Sequence, residues 1–355
     1  MGSIVGAGEG GKAFTRLDLV KHVLNVLIVS LTEHDTLSLI TYSNDTKVLS
    51  NPLNMTKKNK MFLKDRIKAL QTENSTYTGE AIKKAYEMIK KSPENSMRSI
   101  ILLTDGQDTE GYSILERKFE KVDKDPLVQF NTFGFSNDLW SDLLEKLALK
   151  GGGIFGFIPD QSMIGTIFIN FIANTFELFA QNLFIEIDEK NYEFIQKTEL
   201  KRIALKNGNT RNFMIRKKES SDEDSPPKIS IGFNKKQMMQ VPLVKEQESN
   251  QFKSQHARYI MLDLISNNVL EPHEIKAFEK QLAGMQDYAN ELSPGRDNDQ
   301  KNDQINLSYK NWGTWGAHYV RSFRFAHLNE QCLNFKAPSM SKILIDKEHF
   351  VLLTY

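Results

Sequence analysis

One apolar stretch, residues 100–103, constrains the fold of this chain more than any other feature of its sequence. Four large apolar residues in a row are typical of a β-strand buried on both faces, and such strands belong to parallel sheets covered by helices. Asp105 and Gly106 follow the strand. Ligands of open α/β sheets bind at the carboxyl ends of the strands, although an Asp-Gly pair is also common in plain turns. Asp105 is therefore a candidate site residue.

The segments around this strand alternate between helices and short strands. Helical spacing of apolar residues predicts helices at residues 16–31, 57–70, 79–91, 113–122, 138–149 and about 161–181. Further strands are predicted at residues 36–43, 46–49, 128–135 and 154–158. Residues 1–12 are Gly-rich and are predicted to form a loop, with Thr15 as the N-cap of the first helix. This alternation predicts a doubly wound, mostly parallel α/β sheet.

The pattern changes near residue 183. Short strands without intervening helices are predicted at residues 183–188, 199–205, 212–217, 228–233 and 238–244, which indicates a β-rich, sandwich-like segment. Helices return at residues 250–266, 272–292 and about 315–334, and two short strands are predicted within residues 342–355. We therefore predict three parts: residues 1–180, a β-rich segment over residues 181–248, and a small helical domain over residues 249–355.

The balance of charge predicts neither nucleic acid nor membrane as a partner. The chain has 46 basic and 45 acidic residues, a net charge of +1, so it has no global field that attracts a polyanion. Residues 168–179 are apolar, but polar residues interrupt them and the stretch is too short to span a bilayer. The single cysteine, Cys332, excludes an internal disulfide framework and fits a reducing compartment, so we expect a cytoplasmic protein.

Several charged or polar groups have two interpretations. The helix at residues 57–70 carries Lys57, Lys58, Lys60 and Lys64, which are interpreted as a solvated face rather than a binding patch. Arg321 and Arg324 lie one turn apart and are interpreted as a solvated pair rather than a site for an acidic partner. Structural roles are favoured over a zinc site for His318, His327 and Cys332. Asp108 and Glu110 are interpreted as a polar rim that caps the following helix, rather than as extra metal ligands.

Two motifs together resemble the von Willebrand factor type A domain. Residues 102–106 read Leu-Leu-Thr-Asp-Gly and residues 75–82 read Ser-Thr-Tyr-Thr-Gly-Glu-Ala-Ile, and the resemblance covers about residues 1–175. It implies a metal-ion-dependent adhesion site built from three loops, which supply an Asp-x-Ser-x-Ser motif, a Thr and an Asp. Thr76 matches the Thr and Asp105 the Asp. The implied metal is Mg²⁺, a hard cation that prefers oxygen ligands, and an Asp or Glu of a protein partner completes its shell.

The first of these three loops has no counterpart in the sequence, which begins with Met1 where the segment after the motif is expected. We predict that the chain is an amino-terminally truncated form that lacks the motif and the first central strand of the sheet. Loss of that strand leaves backbone groups of two neighbouring strands unpaired, which is unfavourable in a buried layer. Mg²⁺ binding is therefore expected only if the missing motif is restored.

A second resemblance lies near the C-terminus. Residues 312–322, Trp-Gly-Thr-Trp-Gly-Ala-His-Tyr-Val-Arg-Ser, and the Asn-Phe-Lys run at residues 334–336 resemble the domain that follows a von Willebrand A module in proteins with a Hedgehog/intein-like autoprocessing segment. The resemblance covers roughly residues 180–340. No autoprocessing segment follows in this sequence, so self-splicing is not expected.

The favoured function is a non-enzymatic, intracellular protein–protein interaction module. No acid/base pair or activated nucleophile is evident in the sequence, which argues against catalysis by the chain itself. The alternative is the substrate-recruiting part of a RING or U-box ubiquitin ligase, because domains of this type also occur joined to such modules.

Overall fold

The structure is a computed structural model. It describes residues 4–7, 13–73, 75–93, 96–122, 128–135, 137–158, 161–176, 178–195, 203–206, 212–219, 227–233, 237–240, 255, 258–259, 262 and 311–330. The chain divides into two compact units, one formed by Met1–Phe176 with Gly313–Ser322 and the other by Glu177–Trp312 with Phe323–Tyr355. The three-part division at residues 180 and 248 stays a prediction.

The first unit alternates helices and strands, as the sequence predicts. Its elements are β1 (Ile4–Ala7), β2 (Ala13–Thr15), α1 (Arg16–Ser30), β3 (Thr36–Tyr42), β4 (Thr46–Asn54), α2 (Lys57–Lys68), α3 (Thr78–Ile89), β5 (Arg98–Thr104), α4 (Tyr112–Lys121), β6 (Val128–Gly134), α5 (Ser141–Lys150), β7 (Gly152–Phe157) and α6 (Gln161–Phe176). One prediction is wrong: the Gly-rich start is not all loop, because β1 and β2 pair as an antiparallel hairpin.

The parallel part of the sheet has the strand order β5-β6-β7, and β3 pairs antiparallel with β4. Six of the seven residues of β6 are buried, whereas only Leu102 among residues 100–103 of β5 is buried. The prediction that this stretch is buried on both faces is therefore wrong, although it does form a parallel strand. The reason is that, among the described residues, β5 pairs only with β6 and lies at the edge of the ladder.

A buried amide joins the three parallel strands. The pairing register of β6 and β7 shifts between Phe130 and Thr132, and Asn131 lies at the shift. Its Nδ2 donates to Ser99 Oγ on β5 at 2.9 Å, and its Oδ1 accepts the backbone N–H of Ile154 on β7 at 3.0 Å. The side chain thus satisfies a backbone donor that the irregular ladder would leave buried and unpaired.

Helix α1 begins with a capping box, which confirms Thr15 as its N-cap. Thr15 Oγ1 accepts the Asp18 N–H at 3.2 Å, and Asp18 Oδ2 accepts the Thr15 N–H at 2.9 Å. The buried residues of α1 are Leu19, Val20, Val23, Leu27 and Ile28. Ile28 belongs to a core cluster that also contains Leu63 and Ile67 of α2. Helix α2 is therefore held against α1 by one face only.

The segment Gly313–Ser322 belongs to the first unit and is held there by polar side chains. His318 Nε2 donates to the Asn137 carbonyl at 3.0 Å, and its Nδ1 accepts the Ser141 hydroxyl at 2.7 Å. Burial lowers the pKa of His318, which keeps the ring neutral as this bonding requires. Ser322 Oγ accepts the backbone N–H of Phe157 at the end of β7, at 3.1 Å. His318 thus has the predicted structural role.

The interpretation of Arg321 and Arg324 as a solvated pair is wrong. Arg321 Nη1 lies 2.5 Å from Oε2 of Glu145 on α5, and the Glu145 side chain is only 7% exposed. Arg324 is itself buried. Both arginines lie in helix α7 (Ala317–Leu328), which follows a π-helical turn at Trp312–Gly316. Tertiary packing covers both arginines, which spacing along one helix does not predict.

The second unit contains six strands among its described residues: β8 (Leu178–Ile187), β9 (Tyr192–Phe194), β10 (Ile203–Lys206), β11 (Ile215–Lys217), β12 (Ile229–Phe233) and β13 (Gln237–Gln240). Four of them form an antiparallel sheet in the order β10-β8-β12-β13, and β9 pairs with β11. The predicted helix at residues 272–292, the terminal strands and Cys332 lie outside the described residues. No helix in the described part of the chain is long and apolar enough to span a membrane.

The second unit contains a buried ion pair. Arg258 Nη2 lies 3.1 Å from Glu330 Oε1, with side chains 3% and 7% exposed. Glu330 also accepts the backbone and side-chain N–H groups of Asn212, at 2.8 and 2.7 Å. His327 is buried nearby, and desolvation together with the positive charge of Arg258 lowers its pKa to about 3. His327 is therefore neutral, in keeping with its predicted structural role.

Candidate functional site

The carboxyl ends of β3 and β5 lie close together. Tyr42, the last residue of β3, donates its hydroxyl to the Leu103 carbonyl at 2.8 Å. The next carbonyl along β5, that of Thr104, accepts the N–H of Phe135 just after β6, at 3.0 Å. Because carbonyls alternate in direction along a strand, the Leu103 carbonyl faces away from β6. A tyrosine side chain, rather than strand backbone, therefore links β3 to the outer edge of β5.

The Tyr42 hydroxyl is a fixed donor at this edge. Its burial raises the pKa far above the usual range, and the neighbouring carboxylates of Asp105 and Asp108 act in the same direction. Thr104 Oγ1, on the next residue of β5, donates to the Gly106 carbonyl at 3.2 Å, which tightens the turn after the strand. These hydroxyls hold the turn in place and do not change ionisation at neutral pH.

Asp105 follows β5 and faces a cation from the first turn of α1. Arg16 Nη1 lies 3.7 Å from Asp105 Oδ2 and 3.5 Å from its carbonyl oxygen, and the two side chains are 22% and 12% exposed. The positive end of the helix dipole disfavours a cation in the first turn, so a facing carboxylate offsets that repulsion. The carboxylate predicted to face a metal therefore faces a guanidinium of the chain itself.

Thr76 lies in the loop before α3 and is half-buried. Its N–H donates to Thr109 Oγ1 at 2.9 Å, and its carbonyl accepts the Thr109 N–H at 2.7 Å. The next residue, Tyr77, donates its N–H to the Ser43 carbonyl after β3, at 3.1 Å. Since Thr109 lies in the loop that follows Asp105, these bonds bring Thr76 and Asp105 to the same edge of the sheet.

Asp108 caps a helix, but not the one that the sequence indicates. Its Oδ2 accepts the backbone N–H of Thr78, the first residue of α3, at 2.6 Å, and its Oδ1 accepts the Glu110 N–H at 2.8 Å. The N-cap of α3, Tyr77, makes no side-chain cap of its own, and that of α4 is Gly111. The prediction that Asp108 caps the following helix is wrong, because its loop folds back onto α3.

Glu110 forms an ion pair on the rim of the site. Its Oε2 lies 2.7 Å from Lys118 Nζ, which also lies 3.4 Å from Glu80 Oε1. Hydrogen bonding to Glu110 raises the pKa of Lys118. The pair joins the loop after β5 to α4 and α3, so it contributes to the shape of the rim.

The residues at this edge do not by themselves fit a resident Mg²⁺. Thr76 and Asp105 offer one hydroxyl and one carboxylate, both oxygens of Asp108 accept backbone donors, and Arg16 brings a positive charge to Asp105. Mg²⁺ requires about six oxygen ligands in near-octahedral geometry. No group of three or more His, Cys, Asp or Glu side chains suited to a metal occurs among the described residues. The metal prediction for Thr76 and Asp105 stays a prediction.

Sequence reasoning missed Arg16, which it treated only as the start of α1. A signal was present, because a basic residue in the first turn of a helix opposes the dipole and indicates a nearby anion. Its partner, Asp105, lies 89 residues away, so the sequence alone does not identify it.

Residues 10–168 match the family model described as the von Willebrand factor type A domain. An uncharacterized protein of Synechocystis sp. is 29% identical over 146 residues, 41% of this chain and 34% of that protein. YfbK of Escherichia coli is 25% identical over 151 residues, 41% of this chain and 26% of that protein. Inter-alpha-trypsin inhibitor heavy chain H3 of Homo sapiens is 27% identical over 166 residues, 43% of this chain and 18% of that protein. The chain thus matches about a third or less of the length of each relative.

Two solved structures share the fold. The ArnB paralog VWA2 from Sulfolobus acidocaldarius has a TM-score of 0.53 at 16% identity, covering 91% of this chain and 84% of its own. A von Willebrand factor type A protein from Catenulispora acidiphila has a TM-score of 0.52 at 13% identity, covering 70% of this chain and 68% of its own. Such low identities show the fold alone. Together with the family match, they support a von Willebrand factor type A domain in this chain.

Proposed function

We propose that this chain binds a protein partner at the carboxyl edge of β3 and β5, the edge that carries Thr76, Asp105 and Arg16. Domains of the von Willebrand factor type A family mediate protein–protein interactions. The proposal rests on two hydrogen bonds between Thr76 and Thr109, which hold the Thr76 loop against the loop after Asp105. A preorganised edge loses little conformational entropy when a partner binds.

The chemistry of this edge supports binding rather than catalysis. General acid–base catalysis requires a group whose pKa lies near the working pH. The pKa of Tyr42 is raised further from neutrality, and Asp108 uses one carboxylate oxygen to cap α3 and the other to accept the Glu110 N–H. These groups organise the loops.

The partner group that suits this edge is a carboxylate. Arg16 is partly exposed beside Asp105, and a guanidinium has five donors, so it can bind a second carboxylate while it faces the first. An Asp or Glu of the partner would then contact Arg16. In the sequence prediction, the same partner residue contacts a metal instead. Mg²⁺ has no part in this contact.

Affinity capture with site variants tests the proposal. Proteins recovered from lysate by the wild-type chain are compared with those recovered by Asp105→Asn and Arg16→Gln, each with Mg²⁺ and with a chelator. The matched control is Glu87→Gln, which neutralises an exposed carboxylate on α3. We expect one set of proteins to be retained by the wild type, by the control and by Asp105→Asn, which leaves Arg16 free for the partner carboxylate, to be lost from Arg16→Gln, and to be unaffected by the chelator. Equal recovery by all four chains would contradict the proposal.

The other predicted functions have weaker support. No contact among the described residues favours the ubiquitin-ligase alternative, which stays a prediction. The resemblance of residues 180–340 to the domain of autoprocessing proteins and the cytoplasmic location also stay predictions.

A further inference from the structure

The outer face of α2 presents large apolar side chains to solvent. Met61 is 68% exposed and Phe62 is 41% exposed, whereas Leu63 and Ile67 on the opposite side of the helix are fully buried. Because side chains on a helix are fixed relative to one another, Met61 and Phe62 cannot turn inward unless Leu63 and Ile67 leave the core. The helix is therefore held with this face outward.

A strong positive charge surrounds these apolar residues. Helix α2 has six basic residues and one acidic residue, a net charge of +5, in a chain whose total net charge is +1. Lys60 is committed to structure, because its Nζ donates to the carbonyls of Val29 and Leu31 at 3.2 and 2.5 Å. The other five basic side chains are exposed: Lys57, Lys58, Lys64, Arg66 and Lys68.

The apolar and charged groups form one continuous strip. Lys58, Met61, Phe62 and Asp65 are spaced i, i+3, i+4 and i+7, which places them on one side of the helix. The Arg66 guanidinium lies over the Phe62 ring, 5.1 Å from its centroid. A merely solvated lysine face does not require two large apolar side chains at its centre, so these observations favour a docking surface over the solvated face expected from the sequence.

We propose that the α2 face, defined by Lys58, Met61, Phe62 and Asp65 with its flanking basic residues, docks an acidic amphipathic segment of a protein partner. Apolar side chains of that segment cover Met61 and Phe62, and its carboxylates face the lysines and Arg66. This contact is independent of the carboxyl edge of β3 and β5, and its failure leaves the proposed function untouched.

Other occupants fit the α2 face less well. A second copy of the chain would bring two helices of net charge +5 together, which is repulsive. Lipid headgroups and nucleic acids would place phosphates near the like-charged carboxylate of Asp65, at one end of the strip. A protein partner can instead supply a donor to Asp65 and acids to the flanks, so it satisfies the whole face.

Fluorescence anisotropy of a defined probe tests the proposal with the full chain. The probe is a fluorescein-labelled synthetic amphipathic helix with Glu on one face and Leu on the other. We expect saturable binding by the wild type. We expect affinity about tenfold lower in Met61→Ser/Phe62→Ser, through lost apolar contact, and about tenfold lower in Lys57→Glu/Lys58→Glu, through charge reversal.

Matched controls make the same chemical changes elsewhere. Lys83→Glu/Lys84→Glu reverses two exposed lysines on α3, and Ile169→Ser removes an apolar side chain that is 53% exposed on α6. Both controls should bind like the wild type. Phosphatidylserine vesicles and oligothymidylate are titrated in parallel. The proposal would be overturned if the peptide showed no saturable binding, or if the controls lost as much affinity as the α2 variants. It would also be overturned if vesicles or oligothymidylate bound more tightly than the peptide and the α2 substitutions abolished that binding.

Discussion

β5 and β6 are neighbours in one parallel ladder, yet their carboxyl ends are covered in different ways. The end of β6 is closed by a distant segment of chain, in which His318 contacts the loop after β6 and Arg321 pairs with Glu145 of α5. At the end of β5, Tyr42 of β3 donates to the Leu103 carbonyl, the Thr76 loop bonds to Thr109, and Asp105 faces a partly exposed Arg16.

The two strand ends differ in the burial of their polar contacts. The polar contacts at the end of β6 are buried, so removal of one partner leaves an unsatisfied group. At the end of β5, Asp108 is buried, but the Arg16–Asp105 pair is partly exposed, so loss of this pair is tolerated and a partner molecule can contact it. We therefore expect substitution of Arg321 at the β6 end to change folding, and substitution of Arg16 at the β5 end to change mainly binding.

The largest effect is expected from Arg321→Met. The substitution keeps much of the apolar stem and leaves the Glu145 carboxylate, 7% exposed, without its counter-ion. We expect the free energy of unfolding to fall by about 3 kcal/mol, measured by urea denaturation followed by circular dichroism. The double variant Arg321→Met/Glu145→Gln should recover much of the loss, since no charge is then buried. A loss below about 1 kcal/mol in the single variant would remove the contrast between the two strand ends.

Asp108→Ala is the strongest expected perturbation at the β5 end. It removes the acceptor for the backbone N–H groups of Thr78 and Glu110, so we expect a loss of about 2 kcal/mol in the same urea measurement. Glu87→Ala, on the exposed side of α3, is the control and should change stability by less than about 0.5 kcal/mol. Equal effects of the two substitutions would show that Asp108 is not the cap of α3.

The stability of the β6 end should depend on pH through His318. Burial lowers the pKa of His318 below 6.5, so the folded state stays neutral while the unfolded state takes up a proton as the pH falls. The stabilisation is complete above pH 6.5 and declines below it, by up to about 1.4 kcal/mol per pH unit for this group. Because buried His327 contributes a slope of the same sign, His318→Gln should reduce the slope just below pH 6.5 without abolishing it, whereas a matching slope in both chains would contradict the assignment.

The smallest effect on folding is expected from Arg16→Gln. The pair with Asp105 is long, at 3.7 Å, and partly exposed, so its loss should change the free energy of unfolding by less than about 1 kcal/mol. The melting temperature of the wild type should be the same with Mg²⁺ and with a chelator. A saturable rise in melting temperature with Mg²⁺ that Asp105→Asn abolishes would show that this edge binds a metal.

Part of the candidate site could be predicted from the sequence. The motifs that contain Thr76 and Asp105 predict a common location, and hydrogen bonds through Thr109 bring their loops together. Arg16 and the role of Asp108 could not be predicted in this way. A carboxylate can cap any helix end within reach, and the fold of its loop decides which one it caps.

Local sequence patterns predict the alternating helices and strands of the first unit from α1 onwards. Apolar periodicity and the Thr15 capping box fixed the start of α1, because both act within a few residues of chain. Only the tertiary structure decided that Arg16 faces Asp105, that Arg321 faces Glu145 across 176 residues, and that Met61 and Phe62 of α2 remain in solvent. The physical reason is that a charge or an apolar side chain has the same local signature whatever it contacts. Its partner is selected only by the packing that brings distant segments together.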